Sequence, residues 1–116
     1  MSWIIILLIV AFFVWRMKPA KGIKTLSAAE VKALTKDRTK QFVDVRTPGE
    51  YNSRHVKEFK NIPLNDLGKR LDELDKNKET YVICQSGMRS ARAAGMLKKQ
   101  GFTDVVNVKG GMSAWQ

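Results

Sequence analysis

The fold is decided by residues 81–90, Tyr-Val-Ile-Cys-Gln-Ser-Gly-Met-Arg-Ser. An apolar run of three residues precedes the chain's only cysteine, and an alanine-rich segment with helical spacing follows. This order predicts a buried strand, a tight loop and then a helix. Backbone N–H groups of a glycine-containing loop and of a helix's first turn point into one concavity, which suits an anion. We therefore predict that Cys84 lies in an anion-binding loop.

Cys84 has two interpretations, a small buried side chain or an activated nucleophile. A free cysteine is usually just buried. The loop favours the nucleophile, because Arg89 and the loop dipoles would stabilise a thiolate and lower the thiol pKa. A single cysteine excludes an internal disulfide and leaves no resolving thiol in the chain. Any group that Cys84 carries has to pass to a second molecule.

The composition is that of one small globular domain. The chain has 116 residues, with 21 Lys and Arg against 11 Asp and Glu, a formal net charge of +10. The basic residues are scattered and are not interleaved with exposed aromatics, so we expect no nucleic-acid partner. Anionic lipid headgroups or small anionic substrates account for the charge equally well. One cysteine and one histidine are too few for a metal site, and we expect no cofactor.

Residues 1–17 form an apolar run that only Ser2 and Arg16 interrupt. Seventeen helical residues span about 26 Å, the short end of what crosses a bilayer. Trp3 and Trp15 suit the two membrane interfaces, and basic residues follow the run but do not precede it. We predict a single-pass transmembrane anchor in the cell membrane, with the rest of the chain facing the cytoplasm.

Two alternatives compete with the anchor. A cleaved signal peptide would have a basic start and a good cleavage site, whereas this chain offers only Pro19-Ala20. A buried core helix would show a polar face, which the run lacks. We favour an uncleaved anchor, followed by a basic linker over residues 18–22.

The remaining chain, residues 23–116, alternates predicted strands and helices. Strands are expected at 23–26, 41–45, 61–63, 80–83 and 105–108, and helices at 27–35, 47–50, 64–75 and from the cysteine loop to Gly101. Such alternation predicts an α/β domain with a small, mainly parallel sheet of about five strands and helices on both faces. Ligands bind such sheets at the carboxyl ends of the strands. Loops 44–50 and 84–89 both leave strands there.

Five pieces of the sequence fall in a specific order. They are Asp44-Val-Arg-Thr-Pro-Gly-Glu-Tyr51, His55-Val56, Asn61-Ile-Pro-Leu64, the cysteine loop 84–90, and Gly110-Gly-Met112 with Trp115. With these pieces the sequence from Ile23 to Gln116 resembles a single-domain rhodanese. The resemblance implies a sulfurtransferase whose cysteine carries sulfane sulfur as a persulfide. Four residues separate Cys84 from Arg89, as in the sulfur-transferring relatives, whereas phosphatase and arsenate-reductase relatives have five.

The resemblance also suggests the roles of individual residues. The catalytic pair is Cys84 and Arg89; the active-site loop adds Gln85, Ser86, Gly87, Met88 and Ser90, with Arg46 as a candidate for donor binding; Asp44, Glu50 and His55 are structural support. Arg89 either points into the site or ties the loop to a carboxylate such as Glu50 or Asp44. For Asp44 and Arg46, a structural ion pair and a direct substrate role both stay open.

The sequence departs from the family pattern at Arg54 and Glu58, which replace glycines, and at Phe59, which replaces alanine. We expect the segment from Arg54 to Lys60 to be reshaped. The predicted activity moves sulfur from thiosulfate or a persulfide to a thiol, or to cyanide in an assay. The alternatives are a phosphatase or arsenate reductase that uses the same loop, and a catalytically silent binding module at the membrane.

Overall fold

The computed structural model describes residues 2–17 and 23–116. The first helix, α1, runs from Ser2 to Met17. In this part of the chain no helix is both long enough and apolar enough to span a membrane. The predicted spanning anchor over residues 1–17 is therefore not confirmed. The basic linker predicted for residues 18–22 lies outside the described residues.

The domain is built on one sheet of five parallel strands in the order β1-β5-β4-β2-β3. The strands are β1 Ile23–Ser27, β2 Lys40–Asp44, β3 Lys60–Asn61, β4 Glu79–Ile83 and β5 Val105–Lys109. The helices between them are α2 Ala28–Lys32, α3 Pro48–Ser53, α4 Leu64–Leu67 and α5 Met88–Lys99. The parallel α/β prediction is confirmed, and β4, which leads to Cys84, lies in the middle of the sheet.

The core lies on both faces of the sheet, because successive strand residues point to opposite sides. Val43, Val82 and Cys84 pack with buried residues of α4 and α5 on one face. Tyr81 and Ile83 pack on the other face with α2 and the C-terminal residues. Cys84, which directly follows the central strand, is thus held in place by packing with α4 and α5.

Two helix starts follow the capping boxes in the sequence. Ser27 caps α2 and Thr47 caps α3, each with a side chain that accepts from the N–H three residues on. In turn, the carboxylates of Glu30 and Glu50 each accept a hydrogen bond from the backbone N–H of the capping residue. The cap on α3 fixes Glu50 beside the carboxyl end of β2, where the site forms.

The leucine repeat from Leu64 does not form the continuous helix predicted for residues 64–75. The chain instead forms α4, which ends at Gly68, and then a short 3-10 helix over Leu71–Glu73. Glycine is among the least favourable residues within a helix. Leu67 is buried, and leucines 64, 71 and 74 pack against the same core. The repeat therefore predicted the buried face correctly but not the local backbone.

Candidate active site

The Cys84 loop joins β4 to α5 and closes around the sulfur. Gly87 donates its backbone N–H to Cys84 Sγ at 2.9 Å, and Ser90 Oγ lies 3.3 Å from the same sulfur. Gly87 has φ +108°, a conformation that favours glycine, and directly precedes the first residue of α5. Cys84 is fully buried. The loop and the helix start thus surround with polar groups a sulfur that is shielded from water.

Two opposing effects set the acidity of Cys84. Burial raises the pKa of the thiol, whereas hydrogen bonds from the Ser90 side chain and from the backbone N–H groups of Ser90, Gly87 and Ser86 lower it. The hydrogen bonds prevail, so the pKa of Cys84 lies below its ordinary value. A lowered thiol pKa increases the thiolate fraction near neutral pH, and the thiolate is the nucleophile.

Arg89 ties the loop to α3. Its guanidinium donates to both carboxylate oxygens of Glu50, at 2.7 and 2.9 Å. The bond with Arg89 is the largest cause that lowers the pKa of Glu50, to about 2. A guanidinium has five N–H donors, and within the described residues the other three have no hydrogen-bond partner. Because the Arg89 side chain is about a third exposed, at 36%, it can hold Glu50 and still bind an anion.

The guanidinium of Arg46 is buried and donates hydrogen bonds in several directions. Its Nε and Nη2 donate to the Asp44 carboxylate, the closest contact being 2.8 Å. Its Nη1 donates to the Glu50 carbonyl and to Gln85 Oε1, and Nη2 also donates to the Arg54 carbonyl. All five N–H groups are therefore used. Of the two roles open for this pair, the geometry favours the structural one that joins β2 to α3.

The C-terminal residues clamp the cysteine loop from the other side. Met112 N–H donates to the Cys84 carbonyl at 2.8 Å, and Ser113 N–H donates to the Gln85 carbonyl at 3.0 Å. Gly111, in the left-handed conformation with φ +54°, lies against the Cys84–Gln85 peptide. The doublet Gly110-Gly111 was noted in the sequence only as part of the family resemblance, and neither its contact with the cysteine loop nor the part played by Ser113 was predicted.

The other predicted residues of the cysteine loop differ in exposure. Gln85 and Ser86 are exposed, and Met88 is 78% exposed at the tip of the loop. Ser90 is buried, and its hydroxyl donates to Asn107 Oδ1 at 2.6 Å. Asn107 lies on β5, far from the loop in sequence, and sequence reasoning missed it because no local pattern marks a single polar residue in an apolar strand.

His55 contacts α3. Its Nδ1 lies 2.8 Å from the Tyr51 carbonyl oxygen, and its ring stacks on Tyr51 with the centroids 4.0 Å apart. Both contacts are with Tyr51 of α3, and the structural role expected of His55 stays a prediction. Within the described residues no group of three or more potential ligands could hold a metal ion.

The segment from Arg54 to Lys60, which departs from the family pattern, contacts distant parts of the chain. Arg54 has an extended backbone, with φ −163°, that does not require glycine. Its guanidinium donates to the carbonyls of Met112 and Trp115. Glu58 forms an ion pair with Lys36 at 2.8 Å, and Phe59 is buried against Trp115.

A cavity of about 230 Å³ lies beside the cysteine loop, lined by Arg46, Glu50, Ser53, Arg54, Gln85 and Met112.

A buried cysteine of lowered pKa lies in a loop of backbone amides, with an arginine fixed beside it at the carboxyl end of a parallel sheet. These are the groups that a cysteine-dependent anion-binding site needs. The Rhodanese-like domain family matches residues 27–116, and the chain belongs to this family.

Two curated relatives and one solved structure show the extent of the similarity. The Bacillus subtilis protein YqhL is 38% identical over 99% of this chain and 94% of its own length. Thiosulfate sulfurtransferase GlpE from Shewanella oneidensis is 33% identical over 79% of this chain and 91% of its own. A rhodanese-like domain protein from Staphylococcus aureus is 35% identical, with a TM-score of 0.74 over 80% of this chain and 91% of its own. The likeness to proteins named sulfurtransferases supports sulfur transfer of the rhodanese type.

Proposed function

We propose that the protein is a sulfurtransferase that moves sulfane sulfur from thiosulfate or a persulfide to a thiol through a persulfide on Cys84. The observation that carries the proposal is the Gly87 N–H bond to a buried, acidified Cys84 Sγ. Four residues between Cys84 and Arg89 make a small loop, and we infer that its pocket suits one sulfur atom beyond Sγ. The name of the relative GlpE supports thiosulfate as one donor.

The first half-reaction loads the cysteine. The Cys84 thiolate attacks the outer sulfur of thiosulfate, so that a bond forms between Sγ and that sulfur. The sulfur–sulfur bond of thiosulfate breaks, and its electron pair leaves with sulfite. In this mechanism the N–H groups of Arg89 that do not contact Glu50 bind the anionic donor, and the loop amides stabilise the negative charge on the new terminal sulfur.

The second half-reaction unloads the cysteine. An acceptor thiolate attacks the terminal sulfur, forms a persulfide of its own and releases the Cys84 thiolate with the electron pair of the broken bond. Cyanide replaces the acceptor in an assay and leaves as thiocyanate. Because the chain holds one cysteine, the acceptor has to be a separate molecule.

A transfer assay tests the proposal. The full-length chain, in mild detergent, should convert thiosulfate and cyanide to sulfite and thiocyanate, and Cys84→Ala should abolish the conversion. Cys84-dependent hydrolysis of an aryl phosphate, or reduction of arsenate, without thiocyanate would instead support the phosphatase or arsenate-reductase alternative. A folded protein with no Cys84-dependent turnover of any of these substrates would support the binding module.

We also propose that residues 1–17 hold the domain at the cell membrane, with the domain on the cytoplasmic side. The support is the exposure of every described side chain from residue 2 to residue 12, nine of which are large and apolar. In cells, the full-length chain should stay with membranes after washing at high pH, and a chain from residue 18 should not. Release of the full-length chain, or a mature N-terminus after Ala20, would overturn this proposal.

A further inference from the structure

The Ser90 hydroxyl lies within hydrogen-bond distance of three acceptors but has only one proton. Asn107 Oδ1 is 2.6 Å away, the Gly87 carbonyl oxygen 3.1 Å and Cys84 Sγ 3.3 Å. Ser90 and Cys84 are fully buried, so water does not supply a substitute donor at low cost. The three acceptors therefore compete for one hydrogen.

Asn107 is best placed to take that hydrogen. Its Oδ1 makes the shortest of the three contacts, and its Nδ2 donates to the Gly87 carbonyl at 3.4 Å, which orients the amide. Asn107 is in register with Val82 of β4, so a rigid strand holds it below the loop. Because this proton is shared with Asn107, the Ser90 hydroxyl donates to Sγ only part of the time, and its hydrogen bond stabilises the thiolate less than an uncontested hydroxyl would.

We propose that Asn107 is a positioning residue that holds the Ser90 proton away from Cys84 and so limits how strongly the loop stabilises the thiolate. It acts only through Ser90 and touches no reacting atom. The Gly87 N–H, for which Cys84 Sγ is the one acceptor among the described residues, remains the constant donor to the sulfur.

The inference rests on the proposed function and refines it, because the same sulfur plays opposite parts in the two half-reactions. When Cys84 loads, it is the nucleophile, and a less stabilised thiolate attacks faster. When Cys84 unloads, it is the leaving group, and a more stabilised thiolate leaves faster. Asn107 thus sets the balance between loading and unloading.

The first test measures the pKa of Cys84 from alkylation rates against pH. Asn107→Leu removes the closest competing acceptor at similar size and leaves the Ser90 hydroxyl with the Gly87 carbonyl and the thiolate. The charged thiolate is the stronger of these two acceptors, so the pKa should fall by about one unit. Asn107→Asp holds the proton more firmly and adds a negative charge, so the pKa should rise. The charged groups already present near the thiol stay the same in both variants, namely Arg89, which Glu50 neutralises, and the Asp44–Arg46 pair.

Ser90→Ala separates a specific effect from a general loosening of the core. In the Ser90→Ala background, Asn107→Leu should leave the Cys84 pKa unchanged, because the hydroxyl that links the two residues is gone. A pKa that does not fall in Asn107→Leu, does not rise in Asn107→Asp, or shifts equally with and without Ser90 would overturn the inference.

The second test separates the half-reactions. At a pH where Cys84 is fully ionised, Asn107→Leu should slow loading from thiosulfate about threefold per unit of pKa lost and should speed unloading to a thiol. Alkylation needs no sulfur donor, so the pKa test succeeds or fails independently of sulfur transfer. Shifted pKa values without any loading would contradict the proposed function but not the part played by Asn107.

Discussion

Gly111 lies so close to Cys84 that a methyl group on its Cα would sit 2.2 Å from the Cys84 carbonyl oxygen. The same oxygen accepts the Met112 N–H at 2.8 Å. Cys84, the proposed sulfur carrier, is therefore held by a backbone contact with the C-terminal residues, more than twenty positions away in the sequence.

Gly111→Ala should displace the cysteine loop. The new Cβ cannot fit against the Cys84 carbonyl, and an alanine at φ +54° adds strain of about 1–2 kcal/mol. We expect a free energy of unfolding at least about 2 kcal/mol lower. We also expect a higher Cys84 pKa, read from alkylation rates against pH, because the loop N–H groups move away from the sulfur. Urea unfolding and alkylation kinetics measure the two effects.

Gly95→Ala is the matched control. Gly95 lies within α5, and a methyl group on its Cα would meet nothing within 4 Å, so this substitution should stabilise the protein by about 0.5–1 kcal/mol and leave alkylation unchanged. Equal behaviour of the two variants would show that the close contact at Gly111 does not position the loop.

Arg46→Gln tests the structural role of the buried pair. The change leaves the Asp44 carboxylate buried without its partner, which typically costs about 3–5 kcal/mol of stability. The folded protein should retain its KM for thiosulfate, because Arg46 has no N–H group free for a donor. Urea unfolding and transfer kinetics below the unfolding range provide the two measurements.

Arg70→Gln is the control for Arg46. Arg70 pairs with Glu73 at the surface, so its loss should cost within about 1 kcal/mol. A marked rise in the KM for thiosulfate in Arg46→Gln, with stability close to that of the parent chain, would instead assign Arg46 to donor binding.

Glu50→Gln tests the ion pair with Arg89 through pH. The pKa of Glu50 is lowered to about 2 in the folded protein, so the unfolded chain binds the proton more readily. The contribution of Glu50 to stability is present above its ordinary pKa, near about 4.3, and is lost as the pH falls toward 2. Glutamine keeps the side-chain oxygen that caps α3 but removes this titration.

We therefore expect the unfolding free energy of Glu50→Gln to fall less steeply between about pH 4.5 and pH 2 than that of the parent chain. Urea unfolding at several pH values measures the slope. Asp72→Asn, which alters an exposed carboxylate without an ion pair in the described part of the chain, is the control. Parallel slopes for the parent chain and Glu50→Gln would contradict the assignment.

The sequence predicted the parts of the fold that local patterns determine. The apolar strands, the capping boxes at Ser27 and Thr47 and the loop after Ile83 follow from short-range rules, and the structure contains all of them. The helix predicted for residues 64–75 from the leucine repeat was wrong. Leu71 and Leu74 pack against the core from a 3-10 helix and a turn rather than from one long helix.

The site was predicted as far as its residues are adjacent in sequence. Which carboxylate Arg89 would contact stayed open, because the answer depends on how α3 packs beside α5. Asn107 and Ser113 were missed because each contacts the cysteine loop from an element that is distant in the sequence. Such long-range partners leave no periodic or motif signal in one sequence.

The proposed persulfide on Cys84 is tested most directly by the intact mass of the full-length chain after incubation with thiosulfate or a small persulfide. We expect the mass to increase by one sulfur atom, the increase to disappear when a thiol or cyanide is added, and Cys84→Ser to show no increase. A chain whose Cys84 is alkylated readily but gains no sulfur from either donor would contradict the central claim that Cys84 is a persulfide carrier.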